Sequence, residues 1–559
     1  MFDLVIRNAQ LVDGTGEAGI PADLAVVEGK IAAIGPNLDS GQAELDAQGL
    51  VLAPGIIDSH THYDAQLTWD SFADPSPALG VTTAVIGNCG FTIAPCRSQD
   101  QRLTMANLAK VEGMSMAAMQ EGIRWDFETF PEYLDMLEQG GLGLNIAAFC
   151  GHSSVRTWVM GAEARTRAAT AQEIDAMSAI ITEAMAVGAI GFATSTSGSH
   201  NGDGGYPMPS RLAQDDELRA LVKAMGKQGR GVFMLTKGAK TSIEFLESLA
   251  ADSSRPVMIA ALLHNTTRPS AVFDDLEAIS AASKRGHELY GQVSCCPLSM
   301  DFSLQSPYPF EGIEAWGLAL KASPSELPLI LKDSNFRSTV KKDLETPQAV
   351  RLFNGQWQNI KVVETVLAEH RKFEGKTVAD LAYSARQHPL DWMLDLSLRE
   401  NLKTRFVAEL LNSDPKAVAK LLNHPHSAIA LSDAGAHLTF FCDAGFGLHL
   451  LGYWVRDQKC MGLPAAVRRL TGQPADIYRI PKRGYLKLGY WADLMLFDPL
   501  TVGRSENQRV NDLPGGGPRL INHAIGLKGV WVNGQQVVNA SGRMSPGTPA
   551  GCLLREFAS

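Results

Sequence analysis

The chain has 559 residues, 45% hydrophobic and 20% charged, with a formal net charge of −10. That length exceeds one core and predicts two or more domains of a soluble globular protein, while the acidic balance leaves no basic footprint for nucleic acid or an anionic membrane. Eight cysteines without a C-x-x-C pair argue against a disulfide framework, and the N-terminus shows no basic leader or long apolar run, so a cytoplasmic protein with reduced thiols is expected.

Residues 1–53 carry short strand-like runs at 4–6, 11–12, 24–27 and 31–34, separated by Gly14-Thr15-Gly16, Glu28-Gly29-Lys30 and Gly35-Pro36. They are too few for a core of their own. Runs of the same kind recur at 489–498 and 529–538. The termini are therefore expected to meet in one small β-sandwich, built from 1–53 and 471–559.

Residues 54–470 alternate strand-like and helix-like segments. Val51-Leu52-Ala53 and Ile56-Ile57 form one apolar run broken by Pro54-Gly55, and it suits a buried parallel strand. Further runs fall at 81–87, 144–149, 189–194, 231–235, 257–263, 290–293 and 428–431. Between them Thr170 and Glu173 have the spacing of a capping box, and helices are predicted over 217–228 and 274–285. Eight such units predict an α/β fold, a (β/α)8 TIM-type barrel whose reactive groups sit at the C-terminal strand ends. Residues 300–425 are too long for one crossover. They are expected to form a helical insertion between strands seven and eight, covering the site.

The residues just past these runs can do chemistry. His60 and His62 are two apart, so an extended backbone points both rings the same way, and neutral imidazole is a zinc ligand; two surface histidines would read the same. Cys89, within Gly87-Asn88-Cys89-Gly90, is either a thiol near a metal or a buried small residue. His152 follows the third run, Thr236-Lys237 the fifth, His264 the sixth and Ser432-Asp433 the eighth, with His437 beyond. Of these, His60, His62, Cys89, His264 and Asp433 together predict one shared cation. Taken alone, Asp433 could be a helix N-cap and His152 a hydrogen-bonded wall residue. Ser153-Ser154 lacks the nucleophile-elbow context, and Gly515-Gly516-Gly517 lacks the rest of a phosphate loop.

The pattern resembles the amidohydrolase superfamily, and within it the N-acyl-D-amino-acid deacylase (D-aminoacylase-like) group. The matching pieces are 4–8 with Val12-Asp13-Gly14, the stretch 54–62, Val81-Thr82-Thr83 through Gly87-Asn88-Cys89-Gly90, Gly151-His152, Ser432-Asp433, and Arg483-Gly484 with 489–494. The resemblance implies a metal-dependent enzyme with one or two zinc ions, or another divalent metal. His60, His62 and Asp433 would hold one ion, and Cys89 and His264 would hold or bridge toward a second. Metal-bound water would attack the carbonyl, and Asp433 would carry its proton to the leaving nitrogen. His152 and Lys237 would complete the catalytic set.

Three departures bear on this. Thr236-Lys237 stands where the family places a histidine; Lys237 could be carbamylated, donate to an oxyanion, or lie outside the site. His264-Asn265-Thr266 lacks the lysine expected to bind a substrate carboxylate, and Gly291-Gln292-Val293 also departs from the family's strand seven. Lys332, Arg211 and Arg337 are the alternative cations, each equally readable as solvated surface charge. The expected function is hydrolysis of an N-acyl (D-)amino acid. The alternatives are a cyclic-amide (lactam or hydantoin) hydrolase and a non-catalytic scaffold. The expected partner is a small-molecule amide, with no nucleic acid and no membrane, and the oligomeric state stays open.

Overall fold

The structure, a computed structural model, describes residues 1–348, 351–542 and 549–559. It divides into two compact units, one of Met1–Leu262, Asp275–Cys295 and Leu421–Ser559, the other of Leu263–Asp274 and Cys296–Lys420.

The first unit holds the barrel. Its eight strands run in chain order as Ile56–Asp58, Val81–Ile86, Asn145–Gly151, Gly191–Ser195, Val232–Thr236, Val257–Ala260, Leu289–Val293 and Ser427–Ile429. Each pairs in parallel with the next. Strand one meets strand eight through a parallel bridge between Thr61 and Ala434. There the His62 amide donates to the Ala434 carbonyl at 2.7 Å, so the two histidines and Asp433 lie along one seam. Nearly every strand residue is buried, as expected where helices cover the outer face and side chains fill the inside. The capping box at Thr170 and Glu173 is present at the start of Ala171–Ala186. The helices predicted over 217–228 and 274–285 run instead as Asp215–Gly226 and Ala271–Lys284.

The apolar run around Pro54-Gly55, expected as one strand, is two. Val51–Pro54 pairs with Leu494–Phe497 in the terminal sheet, and only Ile56–Asp58 belongs to the barrel. A Cβ on Gly55 would sit 2.2 Å from the Thr82 side chain. Glycine is needed there because strand one starts hard against strand two. The terminal sheet has eight strands from both ends of the chain, with Phe2–Leu11, expected as two strands, running as one through a register shift between Ile6 and Ala9. A bridge from Lys30 to Trp491 brings its third strand to the loop ahead of Leu494. Ile6, Leu24, Ile31, Leu52, Leu494 and Trp531 share the enclosed core.

The second unit, expected to be helical, carries an antiparallel sheet as well, with Arg405–Leu411 between Leu298–Phe302 and Ile360–Glu364. Phe302, Phe310, Trp316, Phe353 and Trp357 pack ring to ring. That aromatic cluster is a core of its own, which explains why the segment separates from the barrel.

A half-buried ring in the short helix Phe446–His449, after strand eight, sets a pH dependence. His449 stacks on Tyr453 at 5.0 Å, and its Nε2 is buried with no hydrogen-bond partner among the described residues. Burial, with the positive charge of Arg504, pushes its pKa down to about 3. The unfolded chain binds a proton there below about 6.5 and the folded one does not, so the stability is complete above that pH and is lost as pH falls toward 3. Urea midpoints are expected to drop between pH 7 and pH 5, and to drop less in His449→Phe; equal losses in both would assign the effect elsewhere.

Candidate metal centre

His60 and His62 leave strand one on the same side, as their spacing requires. The turn 87–90 then brings Cys89 to them. The Gly87 amide donates to Asp64 Oδ2 at 3.0 Å, and the Asn88 amide group donates to the Val85 carbonyl at 2.8 Å. Gly90 adopts a positive φ, and a Cβ there would meet the Ala193 carbonyl at 2.4 Å. One ligand atom each from His60, His62 and Cys89 lies within 4.8 Å of the others, and all three residues are buried. Asp433 Oδ1 stands 3.1 Å from His60 Nε2 and 3.6 Å from His62 Nε2. Its side chain is 24% exposed against 2% and 4% for the two histidines, so the carboxylate forms the open side of the cluster. Cys89 and Asp433 both hold left-handed backbone, at φ 58° and 47°. Such conformations cost about 1–3 kcal/mol and persist where the surroundings over-determine them.

His60 has a defined tautomer. Its Nδ1 lies 2.7 Å from Gln292 Oε1, and the Gln292 amide nitrogen donates to the Ser59 carbonyl and the Tyr478 hydroxyl. The carbonyl of Ser59 can only accept, which fixes the Gln292 oxygen toward Nδ1 and leaves Nε2 for the cluster. Thr236, the last residue of strand five, donates its hydroxyl to Cys89 Sγ at 3.1 Å. The neighbour Lys237 turns away, pairing with Asp275 at 3.2 Å.

The charges fit a divalent cation. Burial opposes charge on His60, yet hydrogen bonds to Asp433 and Cys89 raise its pKa to about 10. Burial likewise opposes charge on His62, and Glu112, Asp433 and Cys89 raise it well above its ordinary value. Burial raises the Cys89 thiol, but the two histidines outweigh it and bring the pKa down. Asp433, against its own desolvation, is held far below the usual carboxylate range by the same imidazoles. The imidazoles thus favour the charged forms of the thiol and the carboxyl and are favoured by them in turn. A dication among them would meet a thiolate, imidazole and carboxylate donor set.

Of the residues singled out in the sequence, the first unit brings together His60, His62, Cys89 and Asp433. His152 is buried with both ring nitrogens committed, Nδ1 to Thr194 at 2.7 Å and Nε2 to Glu217 at 2.9 Å, and Arg156 also pairs with that carboxylate. Arg211 donates to the His200 carbonyl and to Asn201. His264 belongs to the second unit, where its amide donates to Asn412 Oδ1 at 2.7 Å and burial lowers its pKa. Arg337, also in that unit, pairs with Asp395 and Asp391, and Lys332 is exposed. Sequence reasoning missed Gln292 as an orienting group, although a glutamine inside the apolar run 289–293 was a visible signal. It also missed Glu112, which has none: this acid stands just past helix Gln101–Val111, 3.6 Å from His62 Nδ1.

The amidohydrolase family matches residues 43–292 and 347–538. The chain belongs to that family. It is 28% identical over 542 residues to the D-aminoacylase of Alcaligenes xylosoxydans xylosoxydans, covering 96% of this chain and 94% of that one. It is also 28% identical over 540 residues to an N-acyl-D-aspartate deacylase of the same organism, covering 96% and 92%. Among solved structures it is similar to the N-acyl-D-glutamate deacylase of Bordetella bronchiseptica complexed with zinc and a phosphonate inhibitor. The TM-score is 0.67 at 24% identity, over 99% of this chain and 100% of that one, so the two share the fold. No helix among the described residues is long and apolar enough to cross a membrane.

Proposed function

We propose that His60, His62, Cys89 and Asp433 hold a divalent metal ion, zinc before others, and that the protein hydrolyses the C–N bond of an N-acyl amino acid. The observation that carries this is the close cluster of two imidazoles, a cysteine sulfur and a carboxylate on the barrel seam. When bound, the ion supplies Lewis-acid polarisation of the carbonyl and acidifies water. Asp433 is ionised and faces the open side, so it takes a proton from the attacking water and returns it to the amide nitrogen as the C–N bond breaks. Gln292 holds His60 in one tautomer, and Thr236 steadies the Cys89 sulfur. Lys237 and His152 have their polar groups engaged elsewhere and take no part in proton transfer.

The relatives named D-aminoacylase and N-acyl-D-aspartate deacylase support this substrate class. No disulfide joins any of the eight cysteines among the described residues, in keeping with a cytosolic setting. The test is turnover by the zinc-loaded protein of N-acetyl and N-formyl amino acids of both hands, beside hydantoins and lactams. Release of free D-amino acids is expected. Turnover of the cyclic amides alone would move the substrate to that class, and no hydrolysis of either would reject the proposal.

A further inference from the structure

Glu112 is an acid in an unusual place. Its side chain is only 4% exposed, and its carboxylate lies between two imidazoles, 3.6 Å from His62 Nδ1 and 3.7 Å from His437 Nε2. A carboxylate is seldom so buried without a charge partner. The backbone holds it there. The Glu112 amide donates to the Leu108 carbonyl at 2.9 Å, and its own carbonyl accepts from the His437 amide at 2.5 Å. The next residue, Gly113, has φ +59°, and a Cβ there would meet the Phe440 ring at 2.9 Å. The chain at 112–113 is thus pressed against the segment after strand eight, the segment that also bears Asp433.

His62 supplies the other half. Its Nε2 faces Asp433 and the cluster. Its Nδ1 is buried with no hydrogen-bond partner among the described residues, and Glu112 is the acid facing it. His60 in the same pair has a neutral partner, Gln292, at 2.7 Å. The two ligands of the H-x-H pair are therefore backed differently, one by an amide and one by a carboxylate. A histidine whose outer nitrogen faces a carboxylate is oriented and made a stronger donor at the inner one.

We infer that Glu112 is a positioning residue for the metal centre: it fixes the His62 ring from behind with Nε2 turned to the ion and holds His437 at the rim. This rests on the metal reading of the cluster given above. No group transfer is involved.

The test uses the full-length protein stripped of metal, zinc affinity by competition with a chromophoric chelator, and the visible spectrum of the cobalt(II) form. Glu112→Gln is expected to bind zinc about 10–100-fold more weakly and to shift the cobalt bands, as loss of an orienting partner does. A purely structural role would lower the metal-free thermal midpoint and leave both the zinc affinity and the cobalt spectrum alone. Glu112→Asp keeps the charge but shortens the reach by one carbon, and should fall between. If Glu112→Gln does not fold, Glu112→Asp carries the test, and parental affinity and spectrum in it overturn the proposal. Cys89→Ala separates the two levels. If the parent binds zinc through Cys89 while Glu112→Gln matches it within about twofold, well short of an orienting partner's worth, the role of Glu112 is refuted and the metal reading stands. If the parent binds no zinc, or binds it equally without Cys89, both fail.

Discussion

Asp433→Asn should lower the turnover of an N-acyl amino acid by about 10²–10⁴-fold, the range that general acid–base catalysis supplies. Asparagine has the shape of aspartate and tolerates the left-handed backbone at this position, φ 47°, so the fold is expected to survive. What it lacks is the charge. The wild-type carboxylate is ionised because His60 and His62 face its Oδ1 at 3.1 and 3.6 Å, and the amide cannot accept a proton there. The loss should fall on kcat, with KM moving little, since a group acting only in the transition state leaves substrate binding unchanged. Zinc content measured on the same preparation should remain near one ion per chain, because two imidazoles and a thiolate remain. Parental kcat in Asp433→Asn would take the acid/base role away from this residue.

Cys89→Ala should fail in a different way. It removes the one sulfur of the cluster and the acceptor of the Thr236 hydroxyl. Zinc affinity is expected to fall by at least about 100-fold, beyond what the loss of an orienting partner alone would cost, and activity should fall with it. Added zinc should restore part of the activity of Cys89→Ala and none of that of Asp433→Asn, because the first variant lacks affinity and the second lacks a proton carrier. A Cys89→Ala protein that keeps its ion and its rate would show that the sulfur is a buried small side chain and nothing more.

Much of the architecture was legible because it is written in local patterns. Apolar runs at nearly even spacing, with helical segments between them, read as a β/α alternation. The turn at 87–90 and the pair His60 and His62 sit where short-range geometry alone puts them at strand ends. The errors have local causes too. The run 51–57 looks like one strand because both sheets bury it equally, and only the partner strands, Leu494–Phe497 on one side and Val81–Ile86 on the other, distinguish its halves. Residues 300–425 read as helical because strands such as 405–411 do not alternate in sequence, with Phe406, Val407, Ala408, Leu410 and Leu411 all apolar, although their burial does alternate.

The sequence by itself determined the fold class, the family and four members of the cluster, since each depends on residue type at a strand end. Tertiary structure decided which polar groups meet. Lys237 follows Thr236 in the chain, yet one reaches Asp275 and the other the Cys89 sulfur, because strand five ends between them. His152 finds both its partners on other strands and helices, and Glu112 reaches His62 from 50 positions further along the chain. Pairings over such separations depend on how the elements pack, which no local pattern encodes.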